Sequence, residues 1–355
     1  MRGSRDPRGS IFSCVAPEQR VPKAHPLRRI KIDADAVLKG LSATFDGMYS
    51  TKGRPSIPPE RLLKSLLLIA LFSVRSDRQF CEMLDYNILF RWFLDMNLDE
   101  ASFDASTFSK NRERLLKYDV AHQFFAAVVE RARQQGVLSD EHFTVDSTLI
   151  EAWASLKSFQ PKDRADREPP DDPGNTSVDF RGQRRSNETH QSTTDPESRL
   201  LRKGPGKEAK LCFAGHALMD NRHGLCTDLL VTASVGVTEP QAAAQMLDRQ
   251  QINAGTLGAD KGYYTRDFVA GLRQRGIKPH IAMKDHRISG LDRRTTRHAG
   301  YAISQRQRIE EIFGWAKTIG GLRKTRFRGV ARTQQFAHLV AAAYNLLRLA
   351  RLQCV

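Results

Sequence analysis

Three things are scarce in this 355-residue sequence, and each absence excludes something. Cysteine is the first. Cys14, Cys81, Cys212, Cys226 and Cys354 form no C-x-x-C pair, so neither a zinc site nor a disulfide framework is indicated, and the expected compartment is the reducing cytosol. Long apolar runs are the second. The longest, Leu66–Phe72, lies between Ser65 and Ser73 and is too short to span a bilayer, so no membrane partner is expected. The opening MRGSRDPRGS has no apolar stretch like that of a signal peptide and reads as a disordered basic tail, or as extra residues from a tag or a misplaced start. Acidic residues are the third, and they are scarce in one region only. From Lys261 to Val355 there are 20 basic and 5 acidic residues, whereas the first 260 residues hold 36 and 35, so almost all of the net charge of +16 sits at one end. A one-sided basic surface favours a polyanion, nucleic acid before any other.

What is present supports a sizeable core, since 40% of the residues are hydrophobic. Residues 28–117 look helical. Pro58-Pro59-Glu60 opens a segment with Leu62, Leu63, Leu66, Leu67, Ala70 and Leu71 at helical spacing, Ser76-Asp77 caps another, and Asp104 starts a polar helix. That last helix carries Lys110, Asn111, Arg112 and Arg114, as the recognition helix of a helix-turn-helix would, although basic helices are common on any surface. A connecting helix is expected over 118–139. Residues 160–206 then hold only 5 apolar residues in 47, the mark of a polar insertion, placed at about 156–207 and read mostly as a solvated linker. Around it lie a strand at His142–Ser147 and a hairpin whose arms, Lys210–Met219 and Leu225–Val235, flank Asp220–Gly224. Helices and short strands alternate to the C-terminus. The expected class is α/β: a mixed sheet flanked by helices over 140–353, preceded by an all-α domain, with residues 1–27 as a tail.

Three acidic residues stand apart. Asp146 in FTVDST and Asp260 in LGADKGYY each follow an apolar strand, where α/β sheets place ligands, and Gly262 allows close approach. Either alone is most simply a turn-former or a helix cap. The third is on a helix. In Arg306–Ile319, residues Ile309, Ile312, Phe313, Ala316 and Ile319 define the apolar face, and at about 100° per residue Arg306, Glu310 and Lys317 share a stripe roughly 40° wide beside it. Glu311 falls outside that stripe, toward solvent. The plainer reading, an Arg306–Glu310 surface pair, leads narrowly on geometry alone. Three carboxylates at one site require a cation, and hard oxygen donors suit Mg²⁺; two such ions, roughly 4 Å apart, can drive in-line phosphoryl displacement.

These motifs, taken together and in this order, resemble those of bacterial insertion-sequence transposases of the DDE class. FTVDST is similar to the strand bearing the first Asp, GADKGYY to the second Asp motif, and RQRIEEIFGWAK (306–317) to the helix bearing the Glu. In that helix the family spaces Tyr, two residues, Arg, three residues, Glu, six residues and Lys. Arg306, Glu310 and Lys317 fit in register, while the Tyr position holds Ile303, so no tyrosine role is carried over. STTDPESRLLRKG (192–204), Gly215-His216 and the helical region 28–117 are also family-like. The resemblance implies an RNase H-like catalytic domain, with Asp146, Asp260 and Glu310 as catalytic residues holding two Mg²⁺ ions for which Mn²⁺ can substitute. It also implies double-stranded DNA partners, namely terminal inverted repeats and target DNA, a dimer or higher multimer on DNA, and a nucleoid-associated cytoplasmic location. Arg323, Lys324, Arg326 and Arg328 in GLRKTRFRG (321–329) are expected to contact phosphates, as are Arg306 and Lys317. Trp315 and His216 are read as packing residues. Two rival functions remain at this point: an RNase H-like nuclease that cuts without joining strands, and a DNA-binding regulator with an inactive enzyme domain.

Overall fold

The computed structural model describes residues 16–50, 52, 56–162, 179–180, 183–202, 206, 208–233, 236–253, 255–282 and 299–352. Helices come first: α1 (Pro17–Arg20), α2 (Leu27–Gly40), α3 (Ser42–Met48), α4 (Pro59–Leu71), α5 (Asp77–Tyr86), α6 (Ile88–Phe93), α7 (Ala105–Lys117) and α8 (Val120–Gln134). Their starts follow the local chemistry. Pro59 opens α4 with its φ pre-set, the Ser76 hydroxyl accepts from the Gln79 amide at 3.1 Å, and Asp104 accepts from the Thr107 amide at 2.9 Å. Leu62, Leu63, Leu66 and Leu67 of α4 are wholly buried, each stabilising the fold by about 1.5–3 kcal/mol. Residues 16–27, assigned to the tail from sequence, instead carry α1, whose Glu18 accepts from the Trp92 indole N–H, and Val21 is buried.

The strands are β1 (His142–Glu151), β2 (Phe159–Pro161), β3 (Asp179–Phe180), β4 (Gln183–Arg184), β5 (His190–Ser192), β6 (Arg199–Arg202), β7 (Ala209–Asp220) and β8 (Cys226–Thr232). After them come α9 (Glu239–Arg249), β9 (Thr256–Ala259), α10 (Arg266–Gln274), β10 (Lys278–Ile281), α11 (Ala299–Thr318) and α12 (Val330–Leu352). The main sheet runs β10-β9-β1-β7, and the far edge of β7 is shared by β6 and β8. β1, β9 and β10 are parallel, while β7 is antiparallel to β1, β6 and β8. This is the mixed sheet expected from the sequence. The hairpin turn is also as expected: Asp220 caps it by accepting from the amides of Arg222 and His223, and Gly224 takes the positive φ of 69° that it requires.

Two cores lie on opposite faces of the sheet. Phe143, Val145 and Leu257 pack with α9 and α10 on one face, while Ile150, Phe213 and Ala217 belong to the core that holds α11, α12 and the N-terminal helices. The division at 117 and 139 is therefore not a division of cores. α12, read from sequence as part of the catalytic domain, packs on α2, α4, α7 and α8 as well as on β8. Where the polar insertion is described, at 156–162 and 183–202, it is more ordered than a solvated linker, and 163–178 lie outside the described residues. β2 pairs with β5, β6 joins the main sheet, and Asp195 and Glu197 accept from the amides of Gly329 and Val330, tying this segment to the start of α12. The family-like run 192–204 thus supplies a helix cap.

Candidate active site

Strand register sets the two aspartates side by side. β1 and β9 pair His142 with Thr256, Phe143 with Leu257 and Thr144 with Gly258; continuing that parallel register by two residues brings Asp146 opposite Asp260. β9 ends at Ala259 whereas β1 runs on to Glu151, so Asp146 lies within its strand rather than at the end expected from sequence, and Asp260 lies just past the end of its own. Adjacent strands are roughly 4.8 Å apart, within which two carboxylates can share a cation.

Alternation along the strands decides the face. Phe143, Val145 and Leu257 point to the α9–α10 side, so Asp146, out of phase with them along β1, points to the side covered by α11, whereas Asp260, past the end of β9, has its Oδ1 beside Gly262 and close to Glu239. α11 crosses β1, β7, β9 and β10 on that side, anchored by buried Ile309 and Ile312. Glu310 is exposed on this helix next to Ile309. Glu311 is tied the other way, its carboxylate 2.8 Å from Arg348 of α12. Both aspartates are braced from the backbone: Asp146 Oδ1 accepts from the Ser147 amide and Asp260 Oδ1 from the Gly262 amide, each at 2.7 Å.

Sequence reasoning missed two neighbours, Glu239 and Tyr263. Glu239, in the first turn of α9, accepts from the Ser147 hydroxyl. A Cβ on Gly262 would stand 2.9 Å from Asp260 Oδ1 and 3.1 Å from Glu239 Oε2, so a larger residue there would push on both carboxylates. Tyr263 is wholly buried against Phe268, and burial, followed by the charges of Glu239, Asp146 and Asp260, holds its phenol well above the usual value. The signal for Glu239 was a Thr-Glu-Pro-Gln run that reads as a helix start and nothing more. Among the described residues no three carboxylate, histidine or cysteine side chains are gathered closely enough to enclose a metal ion. The donor set of Asp146 and Asp260 is nevertheless of the hard-oxygen kind that Mg²⁺ or Mn²⁺ takes.

The basic residues divide into exposed and internal ones. Arg323, Lys324 and Arg328 are exposed, on a segment pinned along β1: Glu151 N–H donates to Arg323 O and Thr325 N–H to Glu151 O. Lys324 also lies 6.0 Å from the ring centre of the exposed Trp153. Arg326 departs from the expectation of a phosphate contact. It is turned inward over Phe327 and Phe336, 3.6 Å from Asp77, and burial lowers its pKa. Lys317 is half-buried on α11, and the Arg306 side chain lies outside the described residues. α7 is corrected more strongly. Asn111 is buried, accepting from Ser56 at 2.9 Å and donating to Thr107 O at 2.9 Å; Arg112 pairs with Asp77 and covers Phe327; Arg114 stacks on Tyr49 and donates to Asn111. Only Lys110 of that group is exposed, so α7 does not present a base-reading face. Trp315 packs beside Tyr344, and His216 is buried against Thr232, both as structural side chains.

Residues 15–114 match the transposase domain family DUF772, and residues 139–346 match the transposase DDE domain. Among solved structures, similarity is found to a piggyBac transposase synaptic complex with hairpin DNA, with 11% identity, 93% of this chain and 76% of that chain covered, and a TM-score of 0.44. It is also found to a Mos1 transposase paired-end complex with the left transposon end, with 9% identity, 85% and 82% covered, and a TM-score of 0.21.

Proposed function

The chain belongs to the transposases with a DDE catalytic domain, and from that premise we propose that Asp146, Asp260 and Glu310 are its catalytic carboxylates, acting on the ends of an insertion sequence. The observation that carries the reading is the strand register that brings Asp146 and Asp260 to neighbouring positions on β1 and at the end of β9, two strands that the helix of Glu310 packs against. As a DDE transposase the enzyme uses divalent metal ions, and the hard carboxylate donors fit Mg²⁺, with Mn²⁺ as a substitute. When bound between these residues, two ions supply an activated nucleophile and charge neutralisation at the phosphate under attack.

The chain's own residues do the rest. The amides of Ser147 and Gly262 fix one oxygen of each aspartate and so hold both carboxylates in place. Glu310, exposed on α11, would supply the third carboxylate. Arg323, Lys324 and Arg328, alongside the far end of β1, hold the phosphodiester backbone, and Lys317 adds charge from α11. Two in-line displacements follow. Water first attacks a phosphodiester at the transposon end and frees a 3′-hydroxyl; that hydroxyl then attacks a phosphodiester of target DNA and expels its 3′-oxygen. No protein nucleophile is needed, so positioning and charge stabilisation supply the catalysis. The partners are terminal inverted repeats and target DNA, held by a dimer or higher multimer.

The test is a strand-transfer assay with a labelled, pre-cut end and a target plasmid in Mg²⁺. Joined products are expected from the wild type and not from Asp146→Asn. Cleavage of uncut ends with no joining would move the reading to a nuclease.

A further inference from the structure

We infer that Trp153 is a stacking platform for an unpaired base of a DNA strand whose phosphates lie along Arg323, Lys324 and Arg328; the inference rests on the reading of that segment as facing DNA. The chain has three tryptophans, and two are packed: Trp92 is buried and Trp315 lies against Tyr344. Trp153 is 52% exposed, although Ala152 and Ala154 on either side of it are buried. Its backbone is not a loose loop. Glu151 N–H donates to Arg323 O at 3.1 Å, Thr325 N–H to Glu151 O at 2.8 Å and Ala152 N–H to Leu211 O at 2.8 Å, so the residues leading to the ring are held from both sides. A single exposed apolar side chain needs no explanation; the company this one keeps does.

Charge says what covers it. Lys324 Nζ lies 6.0 Å from the ring centre, and Arg323 and Arg328 are exposed on the same segment. Among the described residues none of these three cations pairs with a carboxylate. Glu151, the carboxylate nearest in sequence to the ring, is taken up by Lys210 at 2.8 Å. An indole among unpaired cations suits a partner that alternates π faces with negative charges, as a nucleotide strand does: phosphates meet the cations and a base meets the ring. A second copy of the chain, docking by an apolar face, would strand the three cations. Paired bases hide their faces inside the duplex, so the indole gains only from a base outside it. Trp153 is seven residues beyond Asp146 along the line of β1, hence at most about 25 Å away. At about 3.4 Å per nucleotide along a strand, the unpaired base lies within about seven nucleotides of a phosphate at Asp146.

The experiment measures binding of the full chain to two fluorescein-labelled probes by anisotropy in EDTA: a short single strand, and the blunt duplex made from it. Trp153→Ala is expected to weaken single-strand binding about tenfold and to leave duplex binding within about twofold of wild type, with an unchanged thermal midpoint because the ring is half exposed. Trp153→Phe should recover most of the loss, since a smaller ring still stacks. A 2-aminopurine in the single strand should be quenched by the wild type and not by Trp153→Ala. An unchanged single-strand affinity in Trp153→Ala overturns the inference, and so does an equal loss on both probes, which would make the ring a support for Lys324. A change in the mass of the protein in sedimentation, with both affinities intact, would give the ring to a second copy and overturn it as well. The variant with Arg323, Lys324 and Arg328 all changed to Gln should weaken both probes. If it binds both like the wild type, the reading of that segment as DNA-facing fails, and the stacking site with it; if it weakens both while Trp153→Ala weakens neither, the phosphate contacts stand alone.

Discussion

Two consecutive glutamates on one helix have different surroundings. Glu311 is held by Arg348, whereas Glu310 stands beside Ile309 on the helix that crosses the Asp146 face. Glu310→Gln is therefore expected to lower DNA cleavage by at least about a thousandfold while leaving DNA binding within a few-fold of wild type. Glu311→Gln should keep most activity and lose at most about 1 kcal/mol of stability, since its ion pair is half exposed. Cleavage by both variants on the same labelled end decides it, and an inactive Glu311→Gln with an active Glu310→Gln would reverse the assignment. The sequence made this pair legible because buried isoleucines fix the helix phase. It did not make Asn111 legible. An amide on a polar helix suits an adenine edge and a buried hydrogen-bond network equally well, and only the position of Ser56, 55 residues away, separates them. Asn111→Ala should cost about 1–3 kcal/mol in urea denaturation, with no change in preference for one DNA sequence over another.

The last helix illustrates what an element can hide. Its alanine- and leucine-rich sequence reads as ordinary core, and it is core, but for both halves of the chain. Within α12, His338 is buried beside His122 and Phe125 of α8. The Gln334 side-chain nitrogen lies 2.8 Å from His338 Nε2 and also donates to Leu229 O, while the Gln334 oxygen accepts from the Val231 amide. The imidazole must therefore accept at Nε2 and stay neutral. Burial, with the nearby His122 and Arg249, lowers its pKa to about 3. A histidine whose folded pKa lies below its unfolded value of about 6.5 makes the unfolded state bind more protons on acidification. Stability is accordingly full above pH 6.5 and is lost progressively as pH falls toward 3. His216, lowered to about 4 by burial, adds to the same slope. Urea midpoints measured from pH 7.5 down to 4.5 should fall steadily in the wild type, by a few kcal/mol in all. His338→Gln should be less stable at pH 7.5 and show a shallower fall; an identical slope would place the acid sensitivity elsewhere. No sequence pattern discloses this, because the partners of His338 come from α8, β8 and its own helix at once.

At the scale of the whole molecule, charge and core are distributed differently from each other. The basic surplus of the last 95 residues was legible by counting, but its direction was not: Arg323, Lys324 and Arg328 face solvent while Arg326 faces Asp77, Phe327 and Phe336. Replacing the first three with glutamine should flatten the log K against log salt slope for DNA by about three, one per lost phosphate contact. Arg326→Gln should leave that slope unchanged and lower stability instead. The shared core has a sharper consequence. The N-terminal helices look from sequence like a domain that could be cut out, yet Leu339, Ala342, Ala343 and Leu346 of α12 are buried in the same cluster as Leu62, Leu66, Phe80 and Phe108. Arg332 and Glu113 pair at 2.9 Å, the Ser73 hydroxyl donates to Ile319 O at 2.8 Å, and Arg112 covers Phe327, so polar contacts close the same seam. A fragment of residues 16–117 would bare an apolar strip the length of a 23-residue helix, more than an isolated small unit exposes while remaining folded. It is expected to show no cooperative thermal transition by circular dichroism, whereas the full chain unfolds in one. A sharp transition from the fragment would mean that the helices carry their own core and that α12 merely docks on it. Its absence would mean that the helices and the acidic site move as one body, so that any force on the N-terminal helices is felt at α11 and at Glu310.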